Sequence, residues 1–440
     1  MPRKIVDTFN VEGEEYNIEP VMDAVPTQGS LNAVQSGGVY ADKSNIPVEG
    51  STKNFTAGGA FEDKSNNPVE ASTKNFTAGG AFDYTLGSKT VYSWLGKVFG
   101  RALGKRWTQG TGSMTSNDFS TVYYANGIWV AGGGSSTYSG LWWSEDGTSW
   151  TKGTTGTGSA KFDAVYYANG IWVAGSVDRG IWWSEDGKDW TQGTGIGTTY
   201  TSNSVYYANG IWVAASFQKG VWWSTDGKDW TQGTGIGTAY TTRVVYYANG
   251  IWLAGSQSYG IWWSTDGKDW TRCTGSMASY SFWSFYYTNG IFVAGTISHG
   301  LWWSTDGKDW TQGTGSMTSN TFYSIYCANG IWVATNRDTT GTGIWWSEDG
   351  KDWTQGTGSM TAYSFYFVYY ANGVWVAGSQ GHGLWWSEDG KSWVQSTGST
   401  ASYNFPCMHY ANGVWVAGSQ SHGLWCSGIA QLIADNYFND

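Results

Sequence analysis

From about residue 105 onward the sequence predicts an all-β fold: an eight-bladed β-propeller of four-stranded blades, closed by a strand from its own N-terminal side. Three observations predict it. A tripeptide ending in Asn-Gly recurs at Asn126, Asn169, Asn209, Asn249, Asn289, Asn329, Asn372 and Asn412, in steps of 40 or 43 residues. A Trp-Trp-Ser segment follows each, from Trp142 to Trp385, ending in the altered Trp425-Cys426-Ser427. A further tryptophan closes each complete unit: Trp150, Trp190, Trp230, Trp270, Trp310, Trp353 and Trp393. Self-similarity at such a period is the mark of a repeat architecture, and four short strands per unit is the pattern of propeller blades.

Within one unit, residues 119–125 (FSTVYYA) alternate and are rich in aromatic and β-branched types, which favours a strand. Asn126-Gly127 is a tight-hairpin signal, since both central residues need positive φ. Residues 128–132 (IWVAG) return as strand two, and residues 140–144 (GLWWS) form strand three. Asp146-Gly147 reads as a second turn of the same chemistry. Residues 149–153 (SWTKG) form strand four. Neighbouring side chains on a strand point to opposite faces, so Trp142 and Trp143 are expected to cover both faces of a blade. Thirty of the 32 tryptophans occupy such framework positions, Trp94 and Trp283 being the exceptions. The last unit, residues 403–427, has no fourth strand, whereas Lys105-Arg106-Trp107-Thr108-Gln109-Gly110 matches strand four with nothing before it. This segment is expected to complete the last blade, because an unpaired edge would otherwise be left at the seam.

Composition narrows the function classes. The formal net charge is -10, and from Trp107 onward there are 13 basic and 22 acidic side chains, so no basic footprint for nucleic acid is present. Aromatics at 18% against charged residues at 13% indicate a packed chain rather than a disordered one. No stretch is long and apolar enough to span a bilayer. The first twenty residues carry no apolar signal-peptide core, which predicts a protein made in a cytosol that stays there or leaves outside the general secretion route. Cys273, Cys327, Cys407 and Cys426 show neither CxxC spacing nor a disulfide framework and read as core substitutes.

The N-terminal third is organised differently. Residues 1–28 form an attachment segment, and residues 29–83 carry a repeat of period 21, with Ser30–Tyr40 aligning with Ser51–Phe61 and Ser72–Phe82. Each such unit is too short to bury a core alone and must stack or oligomerise. Residues 84–104 include TVYSWLGKVFGRAL at 90–103, which places Val91, Trp94, Leu95, Val98, Phe99 and Ala102 at helical spacing. This predicts an oligomerisation or docking helix, with membrane contact through Lys97 and Arg101 as the alternative. The propeller occupies 105–428, and 429–440 form a tail.

Two resemblances follow from these motifs. Ser184-Glu185-Asp186-Gly187-Lys188-Asp189-Trp190 resembles the Asp-box of sialidase-like propellers, although it is one residue shorter than that family's spacing. The fuller pattern over residues 107–427 looks like repeats found in many phage and bacterial surface proteins. The resemblance implies that Asp146, Asp186, Asp226, Asp266, Asp306, Asp349 and Asp389, with their serines, hold structural hairpins. Sialidase activity is not implied: that chemistry needs an arginine cluster, a Tyr/Glu pair and an Asp acid. Here the arginines after Trp107 (Arg179, Arg243, Arg272, Arg337) occupy unlike repeat positions. Val25-Pro26-Thr27-Gln28-Gly29-Ser30 through Ser36-Gly37-Gly38-Val39-Tyr40 resembles an N-terminal motif of phage tail-fibre and related virion appendage proteins.

Comparing the units with one another locates a binding face. The Asn-Gly and Asp-Gly turns barely change, whereas the loops between strands two and three and the stretches entering strand one vary. In an up-and-down blade both variable connections emerge on the same side. Loops on a rigid scaffold carry binding residues, and aromatic, His, Asn and Gln side chains there suit carbohydrate. The candidate ligand-binding residues are Tyr138, Arg179, Phe217, Tyr259, Trp283, His299, Arg337, His382 and His422. His299, His382 and His422 share one slot on separate blades and are not expected to converge on a metal. No cofactor and no catalytic set is expected. The sequence thus predicts a virion fibre or spike adhesin, assembled in a host cytoplasm. It would be a homo-oligomer, with a trimer expected, holding other virion proteins through its N-terminal third and host-surface glycan through its propeller. The alternatives are a structural decoration protein and a glycan-processing enzyme.

Overall fold

The computed structural model describes residues 104–428, except 113, 135–139, 155–159, 198–200, 238–239, 339–341 and 397–398, together with short strands before residue 91. The chain divides into two compact units, Gly104–Cys426 and Met1–Leu103 with Ser427–Asp440. In the second of these, Thr8–Val11 pairs with Glu14–Asn17, and an antiparallel sheet joins Tyr40–Ala41, Thr52–Thr56, Ala60–Asp63 and Thr73–Lys74. Thr52-Lys53 and Thr73-Lys74, one 21-residue period apart, are both in strands of that sheet. The predicted helix at 90–103 and the tail at 429–440 lie outside the described residues, apart from Thr90, which ends a short strand.

Residues from Gly104 onward form eight four-stranded antiparallel sheets, each a blade of a β-propeller. Blade 1 consists of Thr121–Ala125, Ile128–Gly133, Gly140–Ser144 and Thr151–Lys152, hydrogen-bonded in that order. Blades 2 to 7 repeat it. In blade 8 the fourth strand is Thr108–Gln109, paired antiparallel with Leu424–Gly428 through Thr108 opposite Cys426 and Gln109 opposite Trp425. The predicted closure is therefore present. First strands of adjacent blades lie against each other, which makes them the innermost strands, around the axis.

Burial follows from this placement. The second strand is covered on both faces, so Ile171–Ser176 is buried at every position and reads as a continuous apolar run. Its side chains join neighbouring blades: Ile128, Val130 and Leu141 of blade 1 pack against Phe162, Val165, Trp172, Trp182 and Trp190 of blade 2. Burying the indole of a Trp removes roughly 150–250 Å² from water, which explains a framework built on tryptophan.

Two sequence expectations are corrected. The Trp doublet is not buried symmetrically: Trp142 and Trp182 are 3% and 6% exposed, while Trp143 and Trp183 are only half-buried. The third strand lies toward the perimeter, where blades diverge, and the second tryptophan is covered by a lysine instead. Lys188 Nζ sits 4.0 Å from the Trp143 ring centroid and 3.2 Å from Glu145. Nor is Asp146-Gly147 a two-residue turn with positive φ at both positions. Gly147 has φ 76, but Asp146 is not in the left-handed region, unlike Asn126 at φ 49 before Gly127 at φ 80. The loop is longer and is closed by side chains: Ser144 Oγ accepts from Gly147 N at 2.8 Å and donates to Asp146 Oδ1 at 2.9 Å. Asp146 Oδ1 also accepts from the amides of Thr148 and Ser149 at 2.7 Å each.

Candidate functional site

The site is built on an irregularity of the first strand. In blades 2 to 7 its pairing with the second strand slips by one residue, so Phe162 faces Ser176 while Ala164 faces Gly175. The residue between is a β-bulge, and bulges re-aim a side chain. The six bulged residues are Asp163, Asn203, Arg243, Trp283, Tyr323 and Tyr366, each half-buried. Because they begin the innermost strands, on the side of the variable loops, they ring the axis at that face. The equivalent positions in blades 1 and 8 are Ser120 and Pro406, with no slip.

These side chains form a polar arc and an aromatic arc. Trp283 lies 4.7 Å from Tyr323, and the Arg243 guanidinium lies 4.8 Å from the ring centroids of both Trp283 and Phe217. Arg337, from a loop of blade 6, is set between Tyr323 and Tyr366, at 4.6 and 4.5 Å from their centroids. Arg243 Nη2 donates to Gln257 at 2.9 Å. Burial lowers the pKa of Arg243, opposed by Tyr323 and Asp163 across the ring. Lys161 Nζ is 3.6 Å from Asp163 Oδ1.

The polar arc is under-satisfied. Asp163 Oδ1, Asn203 Nδ2, Arg243 Nε and Trp283 Nε1 are buried and have no hydrogen-bond partner. Framework indoles such as Trp172 and Trp212 share this state, but these four stand together on consecutive blades around one axis, where each lacks a bond worth about 1–3 kcal/mol.

Beneath this bowl lies an aromatic collar. Three residues further along the first strands, about 10 Å at strand rise, stand Tyr123, Tyr166, Tyr206, Tyr246, Tyr286, Tyr326, Tyr369 and, in blade 8, His409. Their rings touch in sequence around the axis at centroid distances of 4.7 to 5.9 Å, except between Tyr246 and Tyr286. There Tyr246 turns to accept from the Tyr287 amide at 3.1 Å. Burial pushes Tyr166, Tyr206, Tyr246 and Tyr369 up to about 12, helped by the neighbouring hydroxyls. Burial pushes His409 down to about 4.

The structure separates the sequence candidates into two groups. Trp283, Arg337 and Phe217 belong to the bowl. Phe217 and Arg337 are the first residues of their loops, and their amides extend the pairing to the first strand, from Phe217 N to Thr201 O and Arg337 N to Thr321 O, both at 3.0 Å. Arg179, Tyr259, His299, His382 and His422 occupy a different loop slot, whose carbonyl is held by the third and fourth strands, toward the rim. The His299 carbonyl accepts from Trp302 Nε1 and Gln312 Nε2, each at 2.9 Å. The three histidines are stacked on tyrosines: His299 on Tyr280 at 3.6 Å, His382 on Tyr363 at 3.7 Å and His422 on Tyr403 at 3.6 Å. Among the described residues no group of His, Cys, Asp or Glu could hold a metal ion. Tyr138 lies outside the described residues.

Asp163, Asn203, Arg243, Tyr323, Tyr366 and His409 were not among the ligand-binding candidates read from the sequence. The signal exists: aligned on the Tyr-Tyr pair of each unit, the position three residues upstream reads Ser, Asp, Asn, Arg, Trp, Tyr, Tyr, Pro around the ring.

No protein-family model and no curated protein sequence matches the chain. Solved structures do. The structure described as the Dos1 propeller matches with TM-score 0.58 and 10% identity, covering 73% of this chain and 94% of that one. Sqt1 of Saccharomyces cerevisiae matches with TM-score 0.56 and 10% identity, covering 74% and 100%. The computationally designed Ika8 protein matches with TM-score 0.56 and 11% identity, covering 72% and 98%. These likenesses agree with the sheet topology on the fold, an eight-bladed β-propeller.

Proposed function

We propose that the protein is a non-catalytic binding propeller that holds a saccharide in the axial bowl of its variable face. We read it as the adhesin of a virion appendage that recognises host-surface glycan. The carrying observation is the set of four buried polar atoms without a hydrogen-bond partner beside a shelf of Trp283, Tyr323 and Tyr366. A sugar ring offers apolar faces for such a shelf and hydroxyls for such an arc. Binding rather than catalysis is supported by the fate of the regular carboxylates: the seven motif aspartates are consumed by turn amides and serine hydroxyls. The virion setting, the homo-oligomer and the virion partners rest on the resemblance of residues 25–40 and on the 21-residue repeats.

A glycan array probed with the full chain tests this reading. Binding should be lost in Trp283→Ala and kept in Tyr259→Ala, whose ring packs at the rim on Tyr240 at 4.5 Å. Both variants would first be matched to the parent by circular dichroism. Loss in Tyr259→Ala with retention in Trp283→Ala would move the site to the rim, and an array with no positive signal would refute the saccharide reading.

A further inference from the structure

Resting on the saccharide reading, we propose that the bowl selects a carboxylate-bearing sugar, with Arg243 and Arg337 as the residues that receive the carboxylate. The first argument is the placement of charge. The described propeller is acidic and has only four arginines after Trp107, yet two of them lie on the bowl's aromatic rings from unlike positions of their repeats: Arg243 from a bulge, Arg337 from a loop. Among the described residues neither is within ion-pair distance of a carboxylate. Of the carboxylates at this face, Asp163 has Lys161 beside it at 3.6 Å, and Asp338, next to Arg337, accepts from Thr321 N and Asn336 Nδ2 at 3.0 Å each. The bowl is thus a cationic spot in a molecule of the opposite sign.

Geometry is the second argument. Both guanidinium groups lie on aromatic rings, Arg243 on Trp283 and Phe217, Arg337 between Tyr323 and Tyr366. These contacts hold the planar guanidinium forks at the aromatic shelf, and Arg243, which donates through Nη2 to Gln257, keeps Nε without a protein partner. That planar fork matches the two oxygens of a carboxylate. A neutral sugar gains nothing from two oriented cations that a pair of amides would not supply.

The third argument is the donor balance. Of the four buried atoms without a hydrogen-bond partner, Asn203 Nδ2, Arg243 Nε and Trp283 Nε1 are donors, and the one acceptor, Asp163 Oδ1, has the Lys161 ammonium at 3.6 Å. The complementary ligand edge is rich in acceptors, as a carboxylate with adjacent ring and hydroxyl oxygens is. It carries one hydroxyl or amide N–H for Asp163. The apolar face of the same ring then lies toward Trp283 and Tyr323.

The test uses the full chain, a set of glucuronate- and galacturonate-terminated oligosaccharides and their carboxyl-reduced counterparts, in which each carboxylate has become a hydroxymethyl group. Calorimetric titration should show the acidic form binding about tenfold or more tightly than the reduced form, with affinity falling as salt rises, as expected for charge-assisted contacts. Arg337→Met and Arg243→Gln should each lose about tenfold for the acidic form and distinctly less for the reduced form, so that the preference for the acidic form shrinks toward unity. Asp163→Asn removes the local anion and should tighten the acidic form, an outcome misfolding cannot mimic. Equal affinity for acidic and reduced forms would overturn the carboxylate inference and leave the saccharide reading standing. A sulfated neutral glycan binding as tightly as the uronate would overturn selection of the planar group. Absence of binding by both acidic and reduced forms, together with a blank array, would overturn both.

Discussion

Replacing Trp107 with alanine isolates the contribution of the seam. Trp107 belongs to the segment that reaches across to complete blade 8, and it repeats locally what Trp190 does inside blade 2. Its indole is 8% exposed and its Nε1 donates to Gly104 O at 2.9 Å, while Trp190 is 2% exposed and donates to Gly187 O at 3.1 Å. Gly104 at φ 84 and Gly187 at φ 73 share the left-handed conformation that the turn requires. Truncating a buried Trp to Ala costs about 3–5 kcal/mol. An unfolding entropy of about 2.1 cal/mol/K per residue over a propeller of this size makes that a fall of about 4–7 °C in Tm. Trp190→Ala should fall by a similar amount, because each blade is covered on both sides and the closed ring melts as one unit. The two variants part company in hydrogen exchange. Trp107→Ala loosens Thr108–Gln109 from Leu424–Gly428 and should speed exchange in that strand, whereas Trp190→Ala should leave it protected. Scanning calorimetry and exchange mass spectrometry on the full chain measure both. An unchanged Tm in Trp107→Ala beside a large fall in Trp190→Ala would refute the view that the closing segment holds the ring.

Further predictions concern protons and the bowl. In the seven turn aspartates burial works to raise the pKa, but the amide and serine hydrogen bonds outweigh it and hold each below the usual carboxylate value. A depressed carboxylate stabilises fully above its unfolded pKa of about 4 and loses that contribution as pH falls through the folded value. Thermal melts should therefore show this acid loss only below about pH 4, and Asp186→Asn should blunt it; an Asp186→Asn variant melting in parallel with the parent down to pH 2.5 would contradict the turn assignment. His409 is held neutral by burial, with its pKa moved from 6.5 to about 4. Its contribution is present above pH 6.5 and declines as the pH falls from there toward about 4, so His409→Tyr should remove a stability loss in that window. Identical pH profiles of Tm for parent and variant between pH 7 and 4 would refute it. Gly195→Ala should destabilise the junction of blades 2 and 3, because φ 90 disfavours an L side chain and the new methyl would meet the Trp230 carbonyl. A Tm within about 1 °C of the parent would show that the backbone there relaxes freely.

The scaffold was legible in the sequence because its physics is local and repeated. Asn126-Gly127 needs two left-handed residues, so the turn writes itself as Asn-Gly eight times over. Ser144, Asp146, Gly147 and Trp150 close one loop through side chains, so they recur together. The seam was legible for the same reason, since Lys105 and Trp107 are a unit's ending out of place. The bowl was legible only in part. Trp283 stood out as a tryptophan off the framework, and Phe217 and Arg337 as loop variants. Their convergence depends on the slip in pairing that turns residues such as Asp163 toward the axis, and no residue type announces a bulge. The rim residues are set apart for a related reason: His299, His382 and His422 vary with their loops, and they are stacked and bonded in place by Tyr280, Tyr363 and Tyr403 and the strands behind. The collar was hidden by its constancy, because a recurring Tyr looks like framework until the axis is seen.

Constancy and variation are kept on different strands, and this is what frees the bowl to change. Besides the collar and bowl contacts around the axis, a ladder of ties between blades lies on the outer strands and the constant turns. At seven of the eight junctions a lysine of one blade covers the second tryptophan of the blade before it, Lys188 on Trp143, Lys228 on Trp183 and so on to Lys105 on Trp386, at 3.8 to 4.3 Å. At the eighth, between blades 8 and 1, both members are replaced together, by Thr148 and Cys426. A lone lysine or a lone exposed tryptophan would gain little there, so the pair is the unit that is kept or dropped. The contact forgone at that junction is worth about 0.5–1 kcal/mol. None of these ties uses a bulged residue of the first strand. Changes at Asp163, Asn203 or Arg243 therefore leave the inter-blade ladder intact, and substitutions in bowl and ladder should add in their effects on stability. On the proposed reading, a scaffold so divided would exchange one ligand for another by altering six side chains around its axis.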